Sequence, residues 1–450
     1  MRPFQMIGTN GPLILIPPHY TAEIRGDERL TFKSWLKKDF FTNYPGFDGF
    51  KPAVENSVFI DSVRMGLTQS LASVVHMLAE ETKSCLTEAL PPKFDEWQEI
   101  NFDTRALRII ARLSSRTFLP EPLCHNEEWL RIAVEYTVDF FKAAYVMRSL
   151  PAFVRPFVHW FLPQTRKLRG EVQKAREIIM PEVIARQKQA AADIKAGKKP
   201  KKYTDAIAWV EEAAEKNSNV CDPVNGQLNY SLGAVHTTAI TFINTLYNIV
   251  DSPGSVELLR EELIDVLGKA DGWDKTTLNS LRMMDSYMKE SNRMTPASFM
   301  TVNRVADQTI SLSDGTVIPK GASLTIPNTR LYDSEFYENP DVFNGRRFYD
   351  MRMQPGNESK HQFVTTADHY LPFGHGKHAC PGRFFASNEI KILLAHMLLG
   401  YDWKFPKDQG RPKVVSHGLD GGTNPKARIL FKARVPEVSL DLDKKGVSWP

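Results

Sequence analysis

The run Phe373-Gly374-His375-Gly376-Lys377-His378-Ala379-Cys380-Pro381-Gly382 leads into Arg383-Phe384-Phe385-Ala386 and an apolar helical stretch. A cysteine between a Gly-rich turn and a proline, just ahead of a helix, has backbone N–H groups and the positive end of a helix dipole aimed at its sulfur. That arrangement stabilises a thiolate, the form in which cysteine binds a metal. Gly376 and Gly382 permit positive φ and close backbone approach, Pro381 pre-sets φ at the helix entrance, and Phe373 offers a flat apolar wall. The competing reading is a buried structural cysteine behind a turn.

The spacing Phe-x-x-Gly-x-x-x-Cys-x-Gly resembles the haem-ligand loop of the cytochrome P-450 superfamily of haem-thiolate monooxygenases. The resemblance implies that Cys380 is the metal ligand of haem b (iron protoporphyrin IX), with Phe373, Gly376, His378 and Gly382 as cofactor-binding positions around it. In that family, electron donation by the thiolate favours O–O cleavage. The fold it implies is mostly α with small β-sheets, triangular in outline, the haem buried between a long central helix and the cysteine loop.

Composition bounds the alternatives. With 42% hydrophobic and 24% charged residues the chain is an ordinary globular one, and a net charge of +4 is too small to argue for nucleic acid. The four cysteines, Cys85, Cys124, Cys221 and Cys380, are scattered, with neither paired zinc spacing nor a disulfide framework. No signal peptide opens the sequence, and the membrane anchor that family members often carry is expected to be absent, so that the chain reads as soluble. An anchored full-length form would sit on the cytoplasmic face of the endoplasmic reticulum. Ser231–Val250 has the length of a span, but His236, Thr237, Thr238, Thr241, Thr245, Asn244 and Asn248 make it a helix buried in protein instead.

Along the chain, residues 1–60 read as short strands and turns, and helical periodicity takes over from Asp61 to Glu177, as in Leu67–Leu78 and Leu107–Phe118. Arg64 opens the first of these helices, where the resemblance places a basic residue on a haem propionate; a solvated arginine is the plain alternative. The Pro-broken apolar stretch Leu150–Pro163 is either core or, by its position, the family's mobile lid with peripheral membrane contact. The basic run Lys195–Lys202 reads as a solvated loop. Nothing looks like an interdomain linker, so residues 1–450 are expected to form one catalytic domain.

Gly233-Ala234-Val235-His236-Thr237-Thr238 lies inside the uncharged helix, where small residues let a flat group approach. It resembles the family's oxygen-activation segment, which implies Thr237 and His236 as catalytic groups for proton delivery. His236 stands where an acid is usual; a histidine there resembles fungal ent-kaurene-oxidase-like and gibberellin-pathway members. Histidine can itself pass a proton near neutral pH, and a purely structural hydrogen bond is the other reading.

Glu290-Ser291-Asn292-Arg293 places an acid and a base on one helical face, and Pro340-Asp341-Val342-Phe343-Asn344-Gly345-Arg346-Arg347-Phe348 follows. The resemblance implies a structural triad of Glu290, Arg293 and Arg347, with Gly345 replacing a family proline. Strands are expected within Thr295–Ile310 and Thr316–Ile326. By resemblance, Arg304 and His378 hold the haem propionates. The substrate pocket would take Leu232, Val235, Ala297, Ser298, Phe299 and, from the late Gly421–Pro425 loop, Thr423.

Too few residues follow Cys380 for a fused reductase, so electrons would come from NADPH-cytochrome P-450 reductase docking near Lys377, Arg383 and Lys391. The expected function is NADPH- and O2-dependent oxidation of a hydrophobic fungal secondary metabolite, of terpenoid or indole alkaloid type, by a monomer. Oxidative coupling, desaturation or rearrangement without oxygen insertion, and a non-catalytic haem sensor, are the alternatives the same motifs leave open.

Overall fold

The computed structural model describes residues 2–441. At its centre runs the helix Pro223–Asp251, which starts where Asp222 accepts from the N–H groups of Val224 and Asn225 and where Pro223 gives up no needed donor. This central helix carries no charge between Ser231 and Val250, and it packs against helices Phe102–Phe118, Glu127–Ser149, Pro163–Lys195 and Arg282–Met294. Its threonines close their own hydrogen bonds, which is how a polar sequence tolerates burial. Thr237, Thr241 and Thr245 donate to the carbonyls one turn back, Gly233, Thr237 and Thr241, at 2.7, 2.9 and 2.7 Å. Among the described residues no helix is long and apolar enough to cross a membrane.

The helix that follows the cysteine loop, Arg383–Gly400, is buried on nearly every side from Ser387 to Leu399, apart from Asn388. That corrects one expectation. Lys391 is 4% exposed, its ammonium bound to Asp285 at 2.7 Å and to the Leu278 carbonyl at 3.1 Å, so it faces the core and not a docking partner. A helix buried all round has no solvent face on which a lysine could stand.

Small sheets flank the helices. A five-stranded sheet runs in the order Phe4–Gly8, Gly11–Leu15, Ser323–Pro327, Met300–Ala306, Leu30–Thr31, parallel only between Gly11–Leu15 and Ser323–Pro327. A three-stranded sheet joins Gln98–Asn101, Arg428–Ala433 and Tyr401–Lys404. The first 60 residues add helices to the expected strands, including Phe32–Phe40, capped by Thr31 and burying Leu36 and Phe40 at helical spacing.

The expected helices near residues 67–78 and 107–118 are parts of Leu71–Ala89 and Phe102–Phe118. Arg64 lies before the first of them, in a π-helical turn Ser62–Leu67, where a Cβ on Gly66 would come within 2.3 Å of the Trp209 ring. The Leu150–Pro163 stretch turns most of its aromatics to solvent, Phe153, Phe157, Trp160 and Phe161 being 78, 71, 51 and 75% exposed, while His159 is buried against Tyr44 and Leu162 packs on the core. The basic run at 195–202 ends the helix Pro163–Lys195 and is exposed throughout.

Candidate active site

The cysteine loop is closed by its own backbone. Cys380 N–H donates to the Phe373 carbonyl at 2.8 Å, and Gly374 N–H donates to the Leu371 carbonyl at 2.8 Å. Gly374 and Gly376 take φ of +67° and +70°, which only glycine adopts without strain. Arg383, one residue past Gly382, reaches back with Nη1 to the Cys380 carbonyl at 2.7 Å and with Nε to the Val364 carbonyl at 3.1 Å.

The sulfur of Cys380 is embedded in protein yet keeps an open face. Burial pushes its thiol up, while the N–H groups of Gly382 and Arg383 and the Arg383 charge pull it back. The central helix shows the same trait: within a buried run, Gly233 and Thr237 are open, and a Cβ built on Gly233 would meet nothing within 4 Å.

Positive groups converge on the loop. Arg304 is 4% exposed; Nη1 donates to the Asn303 carbonyl at 2.7 Å, Nε has no partner among the described residues, and no carboxylate accompanies it. Burial alone brings its guanidinium down to about 10. His378 is held down to about 4, by burial first and then by the charges of Arg304, Lys377 and Arg64. Arg64 Nη2 in turn donates to the Lys377 carbonyl at 2.8 Å. A buried, unpaired arginine is costly unless an anion meets it. An exposed cysteine on a loop whose His378 is faced by the desolvated Arg304 and by Arg64 therefore fits a flat metal cofactor that carries its own carboxylates.

The distal groups are placed as follows. His236 donates through Nε2 to the Val134 carbonyl at 2.8 Å, and burial lowers its pKa. Thr237 donates to the Gly233 carbonyl, leaving its oxygen lone pairs to the open side. Leu232 and Val235, 4 and 1% exposed, belong to the main core and lie on faces of the helix turned from Gly233 and Thr237. Ala297, Ser298 and Phe299 are half-buried under the hairpin Val415–His417 and Asp420–Gly422. Phe299 N–H donates to the Leu419 carbonyl at 2.9 Å, Gly421 N–H to the Ala297 carbonyl at 3.0 Å, and Ser298 Oγ to Asp420 Oδ1 at 2.8 Å. Thr423, at the exit of that hairpin, lies near Asp103.

Glu290, Arg293 and Arg347 meet in the core at 0, 0 and 8% exposure. Glu290 accepts from Arg293 Nε and Nη2 at 2.8 and 2.9 Å, from Arg347 Nε at 3.1 Å, and from the Asn344 N–H at 3.0 Å. Gly345 has a local reason to replace a proline: a Cβ there would lie 2.2 Å from the Tyr287 ring.

Comparison with known proteins places this chain among relatives along its length. A family model described as cytochrome P-450 matches residues 8–432. The cytochrome P-450 monooxygenase hepE of Aspergillus oryzae is 39% identical over 96% of this chain and 79% of its own length. The monooxygenase esdpI of Penicillium shearii is 40% identical, covering 97% of this chain and 84% of the relative. The cytochrome P-450 monooxygenase 1 of Gibberella fujikuroi is 37% identical, covering 98% and 99%.

Proposed function

The chain belongs to the cytochrome P-450 family and is a haem-thiolate monooxygenase, and from that premise we propose that Cys380 is the axial ligand of its iron. The observation that supports this is the exposed Cys380 at the end of a glycine-turned loop on which the buried Arg304, unpaired at Nε, converges. Haem b is the cofactor, its propionates met by Arg304 and Arg64 with His378 as a neutral donor, and Phe373, Gly376 and Gly382 shape the loop against it. The haem supplies the oxidising power when bound.

The chain's own residues do the rest. Gly233 leaves room on the distal wall, Thr237 Oγ1 accepts and holds a proton donor there, and His236 is the nearest titratable group on that helix. Ala297, Ser298, Phe299 and Thr423 exclude water from the substrate side, while Glu290, Arg293 and Arg347 hold the scaffold. The described residues 2–441 form one catalytic domain, and the rest of the expected range lies outside them.

Like its family, the enzyme uses a reductase, O2 and a hydrophobic substrate. We infer NADPH-cytochrome P-450 reductase as the donor, docking on the groove lined by Arg64, Thr68, Lys377 and Arg383, and a monomeric enzyme. The solvent-facing Phe153, Phe157, Trp160 and Phe161 suit contact with the endoplasmic reticulum surface, from which an apolar substrate would enter. That substrate is a fungal secondary metabolite of terpenoid or indole alkaloid type.

Replacement of Cys380 tests the assignment. Cys380→Ala should abolish the thiolate-type carbon monoxide difference spectrum of the reduced protein; an unchanged spectrum would overturn it. A shift from low to high spin on titration with candidate terpenoids and indole alkaloids would identify the substrate class.

A further inference from the structure

We propose that Lys289, on helix Arg282–Met294, is a positioning residue for Cys380: with Asp285 one turn earlier, it holds residues 362–368 as a strap against the cysteine loop, and the strap fixes where that loop presents its sulfur. The inference rests on Cys380 as the ligand of the iron and adds to it the group that keeps that ligand in place.

The strap needs side-chain partners because it has no ladder of its own. Residues 362–366 belong to no helix or strand, yet Phe363 is fully buried, so backbone groups enter the core without regular pairing. The neighbouring helix supplies what is missing. Lys289 Nζ donates to the Gln362 and Thr365 carbonyls at 2.9 and 2.8 Å, and Asp285 Oδ2 accepts from the Phe363 N–H at 2.8 Å. Lys289 also grips the chain just past the strap: its ammonium lies 3.6 Å from the centre of the Tyr370 ring, and its own carbonyl accepts from the Tyr370 hydroxyl at 3.1 Å. Both side chains are buried.

From the strap, three contacts reach the cysteine loop. The Phe363 ring meets the Phe373 ring edge-on, centroids 5.1 Å apart. The Val364 carbonyl accepts from Arg383 Nε, and the same guanidinium holds the Cys380 carbonyl. Thr366 Oγ1 and Asp368 Oδ1 stand 2.9 and 3.1 Å from the two ring nitrogens of His375. Direct contacts therefore join Lys289 to Cys380 without a gap: ammonium to the Thr365 carbonyl, one residue back to the Val364 carbonyl, then Arg383, then Cys380.

Asp285 closes the arrangement from the other side. Its Oδ1 binds the Lys391 ammonium at 2.7 Å, on the helix that follows the cysteine, and Arg352 Nη1 lies 3.5 Å from Oδ2. One buried carboxylate thus ties down the chain both before and after the ligand loop. The loop turns on Gly374 and Gly376, residues that give it little stiffness of its own, so its position is set by what it is tied to. Glu290, next to Lys289, reaches a different segment, that of Asn344 and Arg347, so the strap is not part of the buried triad.

The variant that tests this is Lys289→Met, which nearly keeps the length of the side chain and removes its donors. Burial brings the Lys289 ammonium down to about 7, so the change also removes a charge that the core disfavours, and the two effects on overall stability oppose each other. In the carbon monoxide complex of reduced Lys289→Met, roughly half or more of the thiolate-type band should be lost at unchanged haem content, and Lys289→Gln, whose amide still donates, should retain more of it. Hydrogen exchange of the resting holoenzyme reads the cause: the backbone amides of residues 362–380 should exchange about tenfold faster in Lys289→Met, with those of the central helix unchanged. A full thiolate band in Lys289→Met, or exchange that is unmoved or rises equally along the chain, overturns the inference. If Lys289→Met loads no haem, the same exchange comparison between the two apoproteins decides: a rise confined to residues 362–380 supports it, and any other pattern is fatal. Cys380→Ala separates the two readings. A thiolate band that survives in Cys380→Ala strikes the ligand assignment, whereas its loss there beside a full band in Lys289→Met strikes only Lys289.

Discussion

Arg304 is the side chain on which the proposed propionate site turns. Its guanidinium is buried, unpaired at Nε and pulled down to about 10 by desolvation, so in the cofactor-free protein it is a liability. Arg304→Gln should therefore act with opposite signs on two measurements. Thermal unfolding of the apoprotein should shift upward, because an uncompensated charge is removed. Haem transfer from the holoprotein to apomyoglobin should quicken by roughly 10- to 100-fold, the loss of one charge-assisted bond of about 1.5–3 kcal/mol. Equal transfer rates would remove Arg304 from the propionate site. Arg304 sits after a register shift in strand Met300–Ala306, between Thr301 and Arg304, and it is that irregularity which a linear reading of alternation does not reveal.

At the scale of elements, helices Glu127–Ser149 and Pro163–Lys195, which flank the exposed aromatic stretch, meet through charges. Glu171 is buried at 3% exposure and pushed up to about 7, by burial first and then by Asp139; Lys167 reaches Asp139 at 2.5 Å, and Arg131 lies 3.7 Å from Glu171. The folded-state value lies above the unfolded one, so the contribution of Glu171 to stability is full below the unfolded value near 4.5 and is lost as pH rises through about 7. Glu171→Gln should accordingly gain on the wild type between pH 5 and pH 8, by on the order of 2–3 kcal/mol at the alkaline end. Denaturant midpoints at the two pH values check this; a difference that does not grow with pH would place the carboxylate in a solvated setting.

For the whole molecule, Glu290 is the point where distant segments are tied together: the helix Arg282–Met294 through Arg293, and the segment around Asn344 to Arg347 beyond the five-stranded sheet. Glu290→Gln should cost about 3–5 kcal/mol, because two buried guanidinium groups lose their counter-charge. Calorimetry of the variant, alongside its haem content, measures the loss; a change below about 1 kcal/mol would mean that the backbone carbonyls at Leu331 and Glu338 suffice for the two arginines.

The sequence by itself determined the class of protein, the helical fold with small sheets, and the loop around Cys380, because these depend on residue type at short spacing: Gly376 where φ is positive, although Gly382 at φ −84° is not, a cysteine before a helix, threonines one turn apart. The Glu290 and Arg293 pair was legible for the same reason. Only the tertiary structure decided which face of a helix is open. It put Leu232 and Val235 into the core, turned Lys391 inward to Asp285, and exposed the aromatics of Leu150–Pro163. It also buried Asp103 and Arg304 with polar atoms left unpaired among the described residues, since burial and unpaired charge arise from contacts between elements and no local pattern encodes them.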